Sequence, residues 1–129
     1  PTVRSVCDRE ALLGYQRLVR SLPVSRHVTG YAVDLARATR PSDPKAPDFI
    51  KKQVAWGGGP RASQALILCA KCRAALAGRI NVACDDVRHL VLPVLRHRVS
   101  PSFVAEAEGV TADMIVKKVL DAVPERTTS

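Results

Sequence analysis

The chain has 129 residues, of which 20 are Lys or Arg, 12 are Asp or Glu and 47% are hydrophobic. This length and composition are those of one globular domain with a core of its own, and they exclude an intrinsically disordered chain. Since no run of about eighteen apolar residues occurs, the sequence predicts no membrane-spanning helix.

Two predicted helices open the chain, each preceded by a residue that can cap its N-terminus. Asp8 caps the first, which ends near Ser21 because Pro23 follows. Ser25 caps the second, which runs to about Thr39. Apolar residues recur at helical spacing in both, so each helix is predicted to turn one face to the core. These residues are Ala11, Leu12, Tyr15, Leu18, Val19 and Leu22 in the first helix and Val28, Tyr31, Ala32, Leu35, Ala36 and Thr39 in the second.

A proline-rich loop and a short helix come next. The three prolines within residues 41–47 cannot continue a helix, so this segment is predicted to be a semi-rigid loop. Residues 48–56 are predicted to form a short helix that turns its apolar side chains inward, with Trp56 among them.

Two longer helices follow, separated by glycine. The first begins at Pro60, because proline suits the first position of a helix, and ends near Gly78. The second begins at Cys84 or Asp85 and contains Pro93, which should kink or interrupt it before Ser100 and Pro101 end it.

The last predicted helix lies beyond a less regular acidic stretch that contains Glu106 and Glu108. Thr111 caps this helix, which ends before Pro124. Together these segments predict that residues 1–129 form a single all-α domain, a bundle of about six helices without a sheet.

Four cysteines raise the question of a metal site. Cys69 and Cys72 have the spacing of half a zinc site, but they lie within a predicted helix and no second close pair of ligands exists. Cys69 also occupies a core-facing position, which favours a buried thiol over a metal ligand. The N-terminus shows no secretory signal, so we expect a cytoplasmic domain that has free thiols and folds without metal.

Residues 57–61 (Gly-Gly-Gly-Pro-Arg) are the most informative local feature. A glycine-rich turn that leads into a helix can bind phosphate through backbone N–H groups and the helix dipole. Gly59 and Pro60 form the helix start here, and Arg61 lies in the first turn, where its guanidinium can reach a phosphate oxygen. No Lys-Ser/Thr pair and no predicted strand accompany the turn, so a flexible turn without a ligand is the alternative.

Arg96, His97 and Arg98 form a second compact basic group. They predict either a contact with a partner or a solvated helix end, where the helix dipole favours cations, and the residues leave both alternatives open. The neighbouring residues do not supply a nucleophile, a base and an orienting group together, so this chain alone is not predicted to be catalytic.

The formal net charge of +8 is typical of proteins that bind nucleic acid or an acidic partner. The positive residues are scattered along the chain, however, and no basic block with interleaved aromatic residues occurs. Nucleic-acid binding by a free-standing basic helical module is therefore an alternative hypothesis. A protein-interaction module without nucleotide chemistry is another.

Four ordered motifs resemble those of the C-terminal lid domain of MoxR-type AAA+ ATPases. Residues 30–40 look like the segment that opens this lid, and residues 57–63 are similar to its Gly-Ala-Ser-Pro-Arg-Ala element. Residues 78–87 match its Gly-Arg-x-x-Val-x-x-x-Asp-Val, and residues 94–98 match its Val-Leu-Arg-His-Arg. The resemblance spans roughly residues 24–124.

The resemblance implies a helical lid that packs over a nucleotide bound to an α/β core, with that core and its phosphate loop outside this chain. The parent would bind ATP and magnesium, hydrolyse ATP, form a hexameric ring and act as a chaperone-like machine that matures protein complexes. A von Willebrand factor A domain protein would be a partner.

In this resemblance Arg61 matches the second-sensor arginine, which reaches the γ-phosphate of ATP. Arg96, His97 and Arg98 would contact a partner or a neighbouring subunit. Gly58 and Gly59 stand where the family has Ala-Ser, so a serine cap is missing and we expect a looser turn. The lid alone is expected to bind no nucleotide tightly.

Overall fold

The computed structural model describes residues 1–125. Within them, seven helices and a two-stranded sheet make up the domain. In chain order they are α1 Arg9–Ser21, α2 Arg26–Ala38, α3 Asp48–Gln53, β1 Val54–Trp56, α4 Pro60–Leu76, α5 Cys84–Leu95, β2 Ser100–Pro101, α6 Phe103–Ala107 and α7 Ala112–Ala122. The predicted all-α fold is confirmed. Across residues 1–125, no helix has the combination of length and apolar character that crossing a bilayer requires.

The core lies where α4 packs between α2 and α5, and α7 packs against α5 and α2. Every fourth residue of α4 from Ala62 to Ala74 is buried, and three of these four are alanine. Because alanine is small, neighbouring helices can approach α4 closely and bury larger side chains around it. The largest of these buried side chains are Tyr31, Leu35, Ile50, Leu66, Leu95 and Ile115.

The first helix forms as predicted, but of its apolar stripe only Leu22, just after the helix, enters the core. Asp8 caps α1 by accepting a hydrogen bond of 2.8 Å from the N–H of Ala11. None of the residues of α1 is buried, and Tyr15 is 60% exposed. Periodicity identified the helix but could not show how much of its apolar face a neighbour covers.

The prediction that the domain lacks a sheet is wrong. Helix α3 ends at Gln53, and the next residues form strand β1, which pairs antiparallel with β2. Trp56 therefore lies on a strand and is 76% exposed, not turned inward. Strands this short contain too few residues to show alternation in the sequence, and their pairing depends on contacts about fifty residues apart along the chain.

The acidic stretch before Gly109 also contains a helix that the sequence does not reveal. Ser102 caps α6 by accepting a hydrogen bond from the N–H of Ala105. The predicted end of α4 is confirmed, because Gly78 adopts a φ of 69° just after the helix. Helix α5 ends at Leu95, only two residues after Pro93 and well before the predicted stop at Ser100.

A cluster of charged side chains joins the end of α4 to the start of α5. The Asp86 carboxylate is fully buried and accepts hydrogen bonds from Arg73 at 2.5 Å and from Arg79 at 2.6 and 2.8 Å. It also accepts a hydrogen bond of 2.9 Å from the N–H of Ala83, at the N-terminus of α5. Arg79, above all, holds the pKa of the Asp86 carboxyl well below its usual range.

We predict that Asp86→Asn lowers the free energy of unfolding by about 1 to 3 kcal/mol. The loss is smaller than for a fully buried ion pair because both arginines are partly exposed to solvent. Asp85→Asn is the matched control, since the neighbouring carboxylate is largely exposed and its substitution should change stability by no more than about 0.5 kcal/mol. Urea unfolding of the three proteins measures both values.

The same cluster predicts how stability depends on pH. Because the folded state lowers the pKa of Asp86, its contribution is fully present above the unfolded-state pKa of about 4 and is lost as the pH falls further. Urea unfolding between pH 7 and about pH 3 should therefore show a smaller decline in stability for Asp86→Asn than for the original chain. Equal declines would show that other carboxylates account for the acid sensitivity.

Candidate functional site

The glycine turn before α4 is fixed to the end of α2. Thr39, which is fully buried, donates a hydrogen bond of 2.7 Å to the carbonyl of Ala36 and accepts one of 2.8 Å from the N–H of Gly58. The carbonyl of Gly58 in turn accepts a hydrogen bond of 2.5 Å from Nε of Arg40. Both polar groups of this buried glycine are therefore tied to residues at the end of α2.

Gly57 is required at its position by close packing. A Cβ atom there would lie 2.1 Å from the carbonyl oxygen of Thr39, which is main chain and cannot rotate away. At Gly59, by contrast, a Cβ would meet nothing within 4 Å. The expectation of a loose turn is not met at residues 57 and 58, because packing and hydrogen bonds hold them in place.

Helix α4 begins directly at this fixed turn. Gly59 is the N-cap and its carbonyl accepts a hydrogen bond of 2.9 Å from the N–H of Ala62, while Pro60 occupies the first helical position as predicted. No side chain caps this helix end. The positive end of the α4 dipole thus faces solvent at the surface that carries Arg61.

About half of the arginines among residues 1–125 bond groups of the domain, and Arg61 is one of those that do not. The side chain is exposed, and within residues 1–125 it makes no hydrogen bond or ion pair. An unpaired guanidinium beside an uncapped helix N-terminus combines two features that favour an anion such as a phosphate group. The structure places Gly59, Pro60 and Arg61 at the start of α4, and their contact with a phosphate stays a prediction.

The second basic group is partly engaged in the fold. Arg96 Nη2 lies 2.8 Å from a carboxylate oxygen of Asp113 on α7, and Arg98 donates a hydrogen bond of 2.6 Å to the carbonyl of Val94. His97 is exposed and contacts Arg98. These three residues follow the end of α5, and the turn that contains them is more than 30 positions after Arg61 in the chain.

The cysteines lie on different parts of the bundle. Cys7 is exposed, Cys69 and Cys72 are half-buried on α4, and Cys84 is buried on α5. Burial raises the pKa of the Cys69 and Cys84 thiols, which favours their protonated form. Among residues 1–125 no group of three or more His, Cys, Asp or Glu side chains is arranged to hold a metal ion.

The family model of the AAA lid domain matches residues 49–119, which is more than half of the chain. The chain belongs to the AAA lid domain family. The matched segment contains the glycine turn, Arg61, the Asp86 cluster and residues 96–98.

Two curated relatives match almost the whole lid domain. Chaperone MoxR1 of Mycobacterium tuberculosis is 29% identical over 123 residues, and the uncharacterized protein YeaC of Bacillus subtilis is 30% identical over 122. Each alignment covers 95% of this chain but only 33% and 35% of the respective relative, so the lid domain spans about a third of their length. The resemblance to MoxR-type lid domains is thereby confirmed.

A solved structure supports the same fold. A protein of Cytophaga hutchinsonii that is assigned as an ATPase superimposes with a TM-score of 0.79 at 21% identity. The superposition covers 96% of this chain and 45% of that one. At this identity the likeness bears on the fold of the lid domain alone.

Sequence reasoning missed the residues that hold the site in place. Thr39 and Arg40 lie 19 and 18 residues before their partner Gly58, and neither residue type at that distance indicates a contact. The motif of residues 78–87 was a usable signal, because it places Arg79 and Asp86 within one short segment. What the motif could not show is that the two side chains bind each other.

We predict that Gly57→Ala destabilises the lid domain by about 1 to 3 kcal/mol, because the new methyl group overlaps the Thr39 carbonyl and the turn must shift. Gly59→Ser is the matched control. There is room for its side chain, and a serine N-cap should leave stability unchanged or raise it by a few tenths of a kcal/mol. Thermal or urea unfolding distinguishes the two, and equal effects would contradict the tight contact at Gly57.

Proposed function

We propose that this domain is the nucleotide-sensing lid of a MoxR-type AAA+ ATPase and that Arg61 contacts the γ-phosphate of ATP held by the parent's core domain. The observation that carries the proposal is the unpaired, exposed guanidinium of Arg61 at the uncapped start of α4. The similarity to chaperone MoxR1 supports the same assignment.

The chemistry of Arg61 follows from its charge and geometry. During phosphoryl transfer, charge spreads over the oxygens of the transferred group, and a planar guanidinium can donate two hydrogen bonds to them. The α4 dipole adds a partial positive charge at the same end. ATP and magnesium, when bound to the parent, supply the reacting phosphate and the metal. The lid residues supply the cation that completes the site.

Because the glycine turn is fixed, the contact between Arg61 and the γ-phosphate would couple the nucleotide state to the position of the lid. Gly58 is bonded to Thr39 and Arg40 at the end of α2, and α4 packs against both α2 and α5. The backbone of Arg61 therefore cannot move toward a phosphate unless the body of the lid moves with it. A nucleotide that binds the closed form more tightly shifts the lid toward that form.

The wider assembly belongs to the same proposal. The parent would hydrolyse ATP within a hexameric ring, pack its own core domain against the lid and act as a chaperone-like machine, with a von Willebrand factor A domain protein as a partner. Arg96, His97 and Arg98 are the proposed contact with a neighbouring subunit or partner. Of these, exposed His97 is the side chain with the least internal engagement, since Arg96 pairs with Asp113 and Arg98 with Val94.

The basic charge does not favour the nucleic-acid alternative. Many of the arginines neutralise or bond groups of the same domain, so they build the fold and do not form a free basic stripe. These arginines and their partners are Arg37 with Asp43, Arg40 with Gly58, Arg73 and Arg79 with Asp86, Arg88 with Tyr31, Arg96 with Asp113, and Arg98 with Val94.

We predict that Arg61→Ala lowers steady-state ATP hydrolysis by the parent about 10-fold to 1000-fold, the range for a lost electrostatic contact in the transition state. Arg61→Lys should restore only part of the activity, because a lysine ammonium group cannot donate the paired hydrogen bonds of a planar guanidinium. Arg26→Ala is the control, since Arg26 is also exposed and lies at the start of another long helix. The free energy of unfolding of both alanine variants should lie within about 0.5 kcal/mol of that of the original lid domain. Unchanged hydrolysis in Arg61→Ala would refute the sensor role.

We also predict that the lid domain alone binds ATP no more tightly than about millimolar. One arginine and one helix N-terminus supply a few kcal/mol, whereas micromolar affinity requires about 8 kcal/mol. Isothermal titration of the isolated domain with ATP measures this directly. A micromolar dissociation constant would mean that the domain holds a complete nucleotide site, and this would contradict the lid assignment.

A further inference from the structure

An uncovered apolar surface extends from α1 into the groove between α1, α2 and α4. On α1, Tyr15 is 60% exposed, and Leu12 and Leu18 are exposed to a similar degree. On α4, Leu68 is 38% exposed and lies between two depressions of about 420 and 350 Å³. The two depressions share Leu68 and Arg20, so they form one continuous groove, which we call the α1 groove.

The α1 groove has an apolar floor and a positive border. Its cations are Arg20 and Lys71, and no acidic side chain lines either depression. Lys71 donates a hydrogen bond of 2.8 Å to the main-chain carbonyl of Arg20, whereas the Arg20 guanidinium makes no hydrogen bond or ion pair within residues 1–125. The apolar lining consists of Tyr15, Val19, Val33, Ile67, Leu68 and Cys72.

The arginines of the Asp86 cluster and of the other internal pairs are matched by carboxylates or carbonyls of the domain, but the cations of the α1 groove have no carboxylate beside them. An amphipathic helix that leaves its apolar stripe uncovered marks an interaction surface. The positive border then determines the charge of the partner that fits.

We propose that the α1 groove binds an amphipathic helix of a separate protein, one whose apolar face is bordered by Asp or Glu. The groove is formed between helices and presents no sheet edge, so a helix that inserts apolar side chains at i, i+3 or i+4 and i+7 suits it better than an extended strand. The acidic border of that helix pairs with Arg20 and Lys71. Arg61 lines neither depression, so the proposal does not depend on the proposed nucleotide role.

The direct test is fluorescence anisotropy with two labelled designed peptides of about 18 residues. Both carry the same leucine stripe at i, i+3 and i+7, and they differ only in having glutamate or lysine along the border. We expect the acidic peptide to bind the domain with a micromolar dissociation constant and the basic one at least ~10-fold more weakly. Raising the salt concentration should weaken the acidic peptide's binding. Equal binding of both peptides would overturn the proposal, because the surface would then be apolar without selectivity.

Matched variants locate the binding site. Leu68→Glu and Arg20→Glu should each weaken binding of the acidic peptide at least ~10-fold. Leu76→Glu is the control for the first, because Leu76 is an exposed leucine of the same helix outside the groove. Lys52→Glu is the control for the charge reversal. Both controls, together with Arg61→Ala, should bind as the original chain does, and equal losses in the controls would place the peptide elsewhere.

Two further outcomes would assign the groove to a different occupant. Sedimentation that shows concentration-dependent self-association, abolished by Leu68→Glu, would mean that a second copy covers it. If the intact parent fails to bind the acidic peptide that the isolated domain binds, the parent's own core covers the groove. Either result overturns the proposal of a separate partner, and neither bears on Arg61, since these titrations contain no nucleotide.

Discussion

The contact between the end of α2 and the glycine turn is the constraint on which the position of Arg61 and the proposed functional surface depends. The buried hydroxyl of Thr39 bonds both the helix that it ends and the turn that follows 19 residues later. Gly57 can approach the Thr39 carbonyl only because it has no side chain. This closeness fixes the point at which α4 starts, and it thereby fixes where Arg61 leaves the surface.

The opposite end of α4 is fixed by charge. The Asp86 carboxylate accepts hydrogen bonds from Arg73 on α4, from Arg79 in the following turn, and from the N–H of Ala83 at the start of α5. Burial of a carboxylate is tolerated here because several donors surround it, whereas an unpaired buried charge would be costly. The longest helix of the domain is therefore held at both ends by contacts with other segments.

The domain uses its positive charge in two ways. About half of the arginines among residues 1–125 bind carboxylates, carbonyls or a hydroxyl of the fold. Arg61 and Arg20 are among those that do not, and each lies beside a different kind of surface. Arg61 is next to a polar helix end suited to an anion, and Arg20 is next to apolar side chains suited to a helix. The two surfaces can therefore serve different partners.

Helical periodicity, capping residues and the positions of Gly and Pro were enough to predict the all-α class and the starts of α1, α2, α4 and α7. They succeed because these signals act over one or two turns of chain. The same local signals place Arg61 in the first turn of α4. The short strand pair at Val54 and Pro101 could not be found, because its stability comes from a partner far along the chain.

Tertiary structure alone decided which predicted surfaces are covered. The stripes of α1 and α2 look alike in sequence, yet every residue of the predicted α2 stripe is buried, whereas in the α1 stripe only Leu22, just after the helix, is buried. Likewise, Arg61 and Arg79 are both arginines near a glycine, but only Arg79 meets a buried carboxylate. The spacing of apolar residues along the sequence shows which face of a helix a side chain belongs to. Whether that side chain is buried, and which charged group it meets, depends on residues that are distant in sequence and come close only in the folded domain.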